Sequence, residues 1–394
     1  MKQSAITGNK GDRIRSDCQV KLQLFEKGGI SIRLQSKVER MFGDQIRQQA
    51  LEVLEALGVS HALLEIEDSG ALPYVIAARI EAAVKQLQDT DRSWIPPLIE
   101  QNRYETGRER FRFSRLYLPG NSPSMMLNAG IHQPDGIILD LEDSVAPDRK
   151  AEARLLVRNA LCQVDFYGAE RMVRINQLPA GLQDLDEVVP HQLHLVLLPK
   201  CEHGSQVAEV AEHIKVILKA HKQEREIYMM PIIESCLGVE NAFEIAGASD
   251  TVVSMAIGLE DYTADLGVKR SESGEESLYA RTRLVNACKA AGIQPIDSVY
   301  SDVANMEGLR KNVCSSRSLG FEGMGCIHPR QVPVIQEAFT PTEEEIEKAS
   351  RIVQAYEEAE AQGSGVVALG SKMIDPPVVK RAQKTLELAR KLKS

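Results

Sequence analysis

Two acidic residues stand where this chain could hold a divalent cation: Glu234 in Pro231-Ile-Ile-Glu-Ser and Asp261 in Gly258-Leu-Glu-Asp-Tyr. Each follows a short apolar run, so strands ending side by side would bring both carboxylates to one ion. Oxygen ligands suit magnesium. Two carboxylates fill only part of its octahedron, leaving places for water and for a substrate that chelates through a hydroxyl or keto oxygen and an adjacent carboxylate. Glu260 competes with Asp261 for the second position, and acids at strand ends also cap helices or pair with arginine. Arg174 emerges from Met172-Val173, where a guanidinium either grips a substrate carboxylate bidentately or forms a buried ion pair with Glu142 or Asp143. Arg115, placed alike before Leu118-Pro-Gly, offers the same to a second carboxylate or to another end of the substrate. Lys200, Asn176 and His328 also follow such runs and are candidate substrate contacts, although Asn176 reads equally as a turn cap and His328 as a satisfied structural histidine. Asp140-Leu-Glu-Asp supplies three acids able to orient Arg174 and Lys200 or to support the ion from behind. His191-x-x-His194 lacks an acidic third ligand and reads as surface.

These residues need elements that deliver them to one place. After Arg110, β-rich runs recur with helical patterns between them: Arg115–Leu118, Gly136–Leu141, Met172–Ile175, Leu195–Leu198, Ile227–Ile233, Thr251–Ile257, Pro295–Val299 and Gly323–Ile327. Continuous apolar strands such as Val196-Leu197-Leu198, alternating with amphipathic helices such as Arg149–Leu161, indicate a parallel sheet covered by helices. Eight such units favour a closed (β/α)8 barrel. That fold gathers its active site at the C-terminal ends of the strands, which is where the polar candidates fall. An open doubly wound sheet would concentrate them at one switch point instead.

Ahead of the barrel, residues from Cys18 to Leu34 alternate about Gly28-Gly29 and predict a β-hairpin. Ser36 then stands as the cap of a helix running to Gly58. A strand at Ala62–Glu67 and a helix at Ala77–Leu87 complete a small α+β unit. The reading divides the chain into that unit (1–88), a linker (89–110) in which Pro96-Pro97 blocks a continuous helix, the barrel (111–339) and a C-terminal helical extension (340–394). The extension opens on Thr342 with Glu345 as its capping-box partner.

Composition narrows the functional classes. Lys+Arg 47 against Asp+Glu 56 gives a net charge of -9, which argues against nucleic acid or an anionic membrane as partner. No signal peptide and no run of roughly 20 apolar residues is seen, so a cytoplasmic location is expected. Seven cysteines lack any C-x-x-C spacing and predict reduced, mostly buried thiols rather than a disulfide framework or zinc site.

The ordered motifs Arg115-Leu-Tyr-Leu-Pro-Gly, Asp140-Leu-Glu-Asp-Ser-Val, Val173-Arg-Ile-Asn, Leu198-Pro-Lys, Ile233-Glu-Ser, Gly258-Leu-Glu-Asp-Tyr, Asp297-Ser-Val-Tyr-Ser-Asp and Ile327-His-Pro-Arg-Gln resemble those of the citrate lyase beta-chain and malyl-CoA lyase family. The resemblance implies a lyase with Mg2+ on Glu234 and Asp261 and a substrate carboxylate on Arg174. It implies a catalytic acid in a Lys-Met-Ile-Asp segment, here Asp375, reaching a neighbouring subunit's site; alone, Asp375 before proline reads as a turn residue. The resemblance also implies a homo-oligomer, a trimer or hexamer. The front unit resembles the acyl-carrier chain of citrate lyase, through Gly29-Ile-Ser-Ile-Arg-Leu-Gln-Ser-Lys-Val, Asp68-Ser-Gly-Ala-Leu and Ala78-Arg-Ile-Glu-Ala-Ala. Such carriers bear a phosphoribosyl-dephospho-CoA arm on a serine in Ser-Ser-Asp. This chain reads Arg15-Ser16-Asp17, which makes Ser16 the candidate attachment site. The expected substrate is a hydroxyacyl thioester, citryl-like and carrier-bound, with a citrate lyase alpha-like transferase as a further partner. The rivals are a lyase on free malyl-CoA or citramalyl-CoA with a vestigial carrier, and a non-catalytic scaffold of a lyase complex.

Overall fold

A computed structural model describes residues 4–271, 273–361, 367–369 and 372–392. The front unit comprises β1 (Ala5–Gly8), β2 (Cys18–Leu24), β3 (Ile30–Ser36), α1 (Glu39–Ala56), β4 (Ala62–Asp68) and α2 (Pro73–Leu87). Its sheet runs β1-β2-β4-β3, and this corrects the hairpin expected from the alternation. β2 and β3 do not pair. β4 lies between them, antiparallel to β2 (Cys18↔Asp68) and parallel to β3 (Ile30↔Ala62). The reason is the helix α1, which joins β3 to β4 as a crossover and so makes that pair parallel, a connection that a tight turn cannot provide. β4, with Leu64 and Ile66 sealed from solvent, takes the centre, while the half-exposed β3 takes the edge. Alternation reports which face of a strand is buried, not which strand lies beside it. Ser36 also differs from expectation: α1 begins at Glu39, and the Ser36 hydroxyl accepts from the Val38 amide while donating to Asp68 (3.0 and 2.5 Å).

The eight expected barrel strands all form: β5 (Ser114–Pro119), β6 (Gly136–Asp140), β7 (Glu170–Arg174), β8 (Leu195–Leu198), β9 (Tyr228–Ile233), β10 (Ser254–Ile257), β11 (Gln294–Asp297) and β12 (Gly323–Cys326). They pair in parallel, in order, and the sheet closes where Met324 meets Ser114. The protein is a TIM barrel preceded by a small α+β domain. Alternate residues divide between two cores. Leu116, Leu118, Ile137, Leu139 and Val173 face the helices, whereas Ile138, Met172, Leu197, Met230 and Ile232 fill the interior with Tyr117 packed on them. On β5 this parity turns Arg115 and Tyr117 inward.

The front domain is fastened to the barrel. Helix α2 is buried on both sides: Ile76, Ile80 and Val84 join the small domain's core, while Tyr74, Val75, Ala78 and Ala82 join the barrel's. The fully buried Arg79 bonds both oxygens of Asp17 (3.1 and 3.0 Å), Glu152 at the start of the helix Lys150–Gln163 (3.3 Å) and the Asn121 carbonyl just past β5 (3.3 Å). A second buried arginine, Arg158, clasps both oxygens of Glu81 (2.9 and 2.6 Å) and reaches Glu187. The extension carries the expected capping box, Thr342 amide to Glu345 carboxylate (2.9 Å) and Glu345 amide to Thr342 hydroxyl (3.2 Å). It pairs the helices Glu343–Ala361 and Pro376–Lys391, tied to the barrel by Arg317–Glu345 (2.9 Å) and by Leu388 against the outer core. Five cysteines are buried, Cys236 is half-buried and Cys314 exposed, and all seven are free thiols.

Candidate active site at the barrel mouth

A cavity of about 800 Å³ enters the barrel from the strands' C-terminal ends, and Glu234, Asp261, Arg174, Arg115, Tyr117 and His328 all line it. Glu234, first residue after β9, is 6% exposed and takes the Lys200 amide on Oε2 (2.9 Å). To present that amide Lys200 adopts φ +47°, a conformation uncommon for a residue with a side chain and retained here by its partner. Room for the carboxylate comes from Gly258: a Cβ there would lie 2.6 Å from Glu234 Oε1. Asp261 occupies the first turn of the helix Leu259–Leu266, with the Lys200 ammonium 3.4 Å away. Glu260, the rival second ligand, is held by Arg270 (2.6 Å).

Arg174, last residue of β7, has three of its five N–H directions taken by acids, Asp140 bidentately (2.6 and 2.8 Å) and the more exposed Asp143 (3.5 Å), with Glu142 in ion-pair contact (2.9 Å). The ion-pair reading of Arg174 is the one observed, and the pair fixes its guanidinium in the cavity wall. Burial works against its charge, but Asp140 more than compensates and holds its proton more tightly than usual, while Asp140 itself, despite burial, is kept below the ordinary carboxylate range by Arg174. Five carboxylates (140, 142, 143, 234 and 261) are thus set about two cations, Arg174 and Lys200, with Arg115 a third in the same cavity. Burial, with Glu142 and Asp261 adding to it against the Lys200 amide and Arg174, pushes Glu234 up to about 8. A cation between Glu234 and Asp261 would relieve that excess. No cluster of three or more His, Cys, Asp or Glu side chains arranged for a metal occurs among the described residues, so an ion held there would complete its shell with water or substrate.

Not every expected residue reaches the cavity. Asn176 is turned aside, its amide donating to Asp184 (2.8 Å) and its carbonyl accepting from Lys150, so it does not line the space it was expected to serve. Asp375 caps the helix Pro376–Lys391, accepting from the Val378 amide (3.3 Å), and does not line its own chain's cavity. His328 lines the wall with Nδ1 accepting from the Arg330 amide (3.1 Å), an assignment that puts the ring proton on Nε2. His194, expected at the surface, is 4% exposed, because its ring accepts from the Arg171 amide and bonds the Tyr104 carbonyl. Ser16 is half-buried at φ +56°, its amide on the Ser69 carbonyl, one residue before the Asp17 that Arg79 holds. Tyr117 was missed by sequence reasoning; its signal was the parity shared with Arg115.

A closed (β/α)8 barrel with acids and an acid-clamped arginine at the C-terminal ends of its strands has the architecture of a barrel enzyme. The chain belongs to the HpcH/HpaI aldolase/citrate lyase family, whose profile matches residues 114–329, more than half of it, and it is a carbon–carbon lyase. A second profile, malonate decarboxylase delta subunit (MdcD), matches residues 3–87, in keeping with a carrier-like front domain. Citrate lyase subunit beta of Haemophilus influenzae is 42% identical over 284 residues, covering 71% of this chain and 98% of that protein. A Mycobacterium tuberculosis CitE structure in complex with magnesium, acetoacetate and coenzyme A is 30% identical, covers 72% of this chain and all of that one, and superposes with a TM-score of 0.61. A citrate lyase beta subunit from the same organism, complexed with oxaloacetate and magnesium, is 30% identical, covers 59% of this chain and 99% of that one, and gives a TM-score of 0.51. No helix among the described residues is long and apolar enough to cross a membrane.

Proposed function

We propose that the chain cleaves a 3-hydroxyacyl thioester of the citryl type, its hydroxyl beside a free carboxylate, into a 2-oxo acid, such as oxaloacetate, and an acetyl-type thioester, using Mg2+ held by Glu234 and Asp261. The observation that carries this is the convergence of those two carboxylates with Arg174 on one cavity. Magnesium bound there would draw electron density from the substrate hydroxyl as it becomes a keto oxygen. The chain's own residues do the rest. Arg174 has two N–H directions left after its hydrogen bonds to acids, and offers them to the carboxylate adjacent to that hydroxyl. The hydroxyl loses its proton to solvent, the bond to the thioester's α-carbon breaks, and its electron pair moves onto the thioester as an enolate. A carboxylic acid must then protonate the α-carbon, and Asp375 of a neighbouring copy is assigned that part, since Asp375 caps its own helix away from its own cavity. His328 is placed to line the acyl side, with Lys200 setting Glu234 and Asp261. The substrate's acyl group rides on a phosphoribosyl-dephospho-CoA arm at Ser16, supplied by an alpha-like transferase.

A second reading, cleavage of free malyl-CoA or citramalyl-CoA, is favoured by one feature: Arg15 stands where the first serine of the carrier motif is expected. The intact mass of protein from its native host separates the two, an arm on Ser16 supporting the first and its absence the second. The lyase reading is tested by incubating purified protein and Mg2+ with citryl, malyl and citramalyl thioesters, free and carrier-bound, while following oxaloacetate, glyoxylate and pyruvate. Turnover lost in Glu234→Gln and Asp261→Asn is the expected result; no turnover of any thioester by the wild type would leave a scaffold.

A further inference from the structure

Arg115 is 1% exposed and lies deep in the barrel, facing Gly136 and Gly325 on the neighbouring strands. Nη1 points at the Met230 sulfur (2.8 Å), a weak acceptor, and the buried Nε has no acceptor at all. Among the described residues no carboxylate lies within ion-pairing distance of it. A buried guanidinium without a counter-ion is costly, and burial accordingly drags Arg115 down to about 10. The other fully buried arginines all have strong acceptors: Arg79, Arg112 and Arg158 each hold a buried carboxylate, and Arg171 donates to the Gln192 and Tyr104 carbonyls. Arg115 differs in lining the cavity that contains Glu234, Asp261 and Arg174. Tyr117 stands next above it on the same face of β5. On β9, Met230, Ile232 and Glu234 form the matching ladder toward the mouth.

We infer that Arg115 is a specificity-determining residue that receives a second, distal carboxylate on the 2-oxo acid half of the substrate. The inference rests on the lyase reading for which end of the substrate lies deep, and it names the substrate class: thioesters whose cleavage yields a 2-oxo dicarboxylic acid. Arg174 serves the carboxylate beside the hydroxyl at the mouth; Arg115 supplies a charge below it. A substrate carrying a methyl group in that place would leave the guanidinium buried and unsatisfied, and would be rejected for that reason.

The test compares oxaloacetate with pyruvate, which lacks the distal carboxylate, by calorimetry in the presence of Mg2+, and citryl-CoA with citramalyl-CoA by kcat/KM. Wild type should favour the dicarboxylate by about 100-fold or more in each comparison. Arg115→Met should collapse both ratios to within severalfold, and Arg115→Lys should restore part of them. Removing an unpaired buried charge should leave the melting temperature equal or higher. Equal wild-type affinities for oxaloacetate and pyruvate, or a variant that weakens both alike with a lowered melting temperature, would overturn the inference. If wild type binds the two acids with the expected preference yet cleaves no thioester, the lyase reading fails while the role of Arg115 stands.

Discussion

At the scale of single residues, the mouth depends on small spaces as much as on charges. Gly258 has φ −108°, which any residue can adopt, so its constraint is the approach of Glu234 rather than the backbone. Gly258→Ala should therefore fold with little change in melting temperature but displace the Glu234 carboxylate, weakening Mg2+ binding by roughly 10- to 100-fold in a calorimetric titration. At the base of the barrel, burial and the neighbouring Arg171 push His194 down to about 3. Its folded value lies below the ordinary value near 6.5, so the stabilisation is complete above that pH and is lost as the pH falls toward 3. Urea unfolding between pH 7 and 5 should lose up to about 1.4 kcal/mol per pH unit from this one histidine, and His194→Asn should flatten that part of the slope. An unchanged slope would mean the ring is charged in the folded state.

At the scale of elements, the order of the front sheet makes a prediction that a hairpin would not. Leu64 on the central β4 is sealed, so Leu64→Ala should cost about 2–5 kcal/mol, while Leu34→Ala on the half-exposed edge strand β3 should cost less than about 1.5 kcal/mol. Chemical denaturation of the two variants distinguishes this order from a paired β2–β3. The same elements show how much was legible beforehand. Continuous apolar runs bounded by polar residues located all eight barrel strands, because a buried parallel strand must be apolar on both faces. The acids of the mouth were legible for the same reason, as the first polar residues after each run. Strand β1 was not, since four residues carry too little pattern, and strand neighbours were not, since pairing is decided by contacts far apart in the chain. Asn176 and His194 misled because a residue's place beside a strand end does not reveal where its side chain turns; Asp184 and Tyr104 decide that, from positions the local text does not mark.

At the scale of the whole molecule, two buried arginines make the front domain and the barrel one body. Glu81→Gln would leave Arg158 buried with only the half-exposed Glu187 as a charged partner, and should destabilise the protein by roughly 3–5 kcal/mol. Because α2 belongs to both cores, calorimetry of the wild type should show a single unfolding transition; two separated transitions would refute the coupling. The same clasp bears on traffic. Arg79 ties the Ser16-Asp17 turn to the loop just beyond β5, so a group hung on Ser16 would swing from a post that does not move, on a leash whose far end alone explores the entrance. Cargo of that kind cannot be outcompeted by dilution, and each assembly of this protein should service its own load at a rate indifferent to how many others share the solution, so long as the copy that lends Asp375 stays bound.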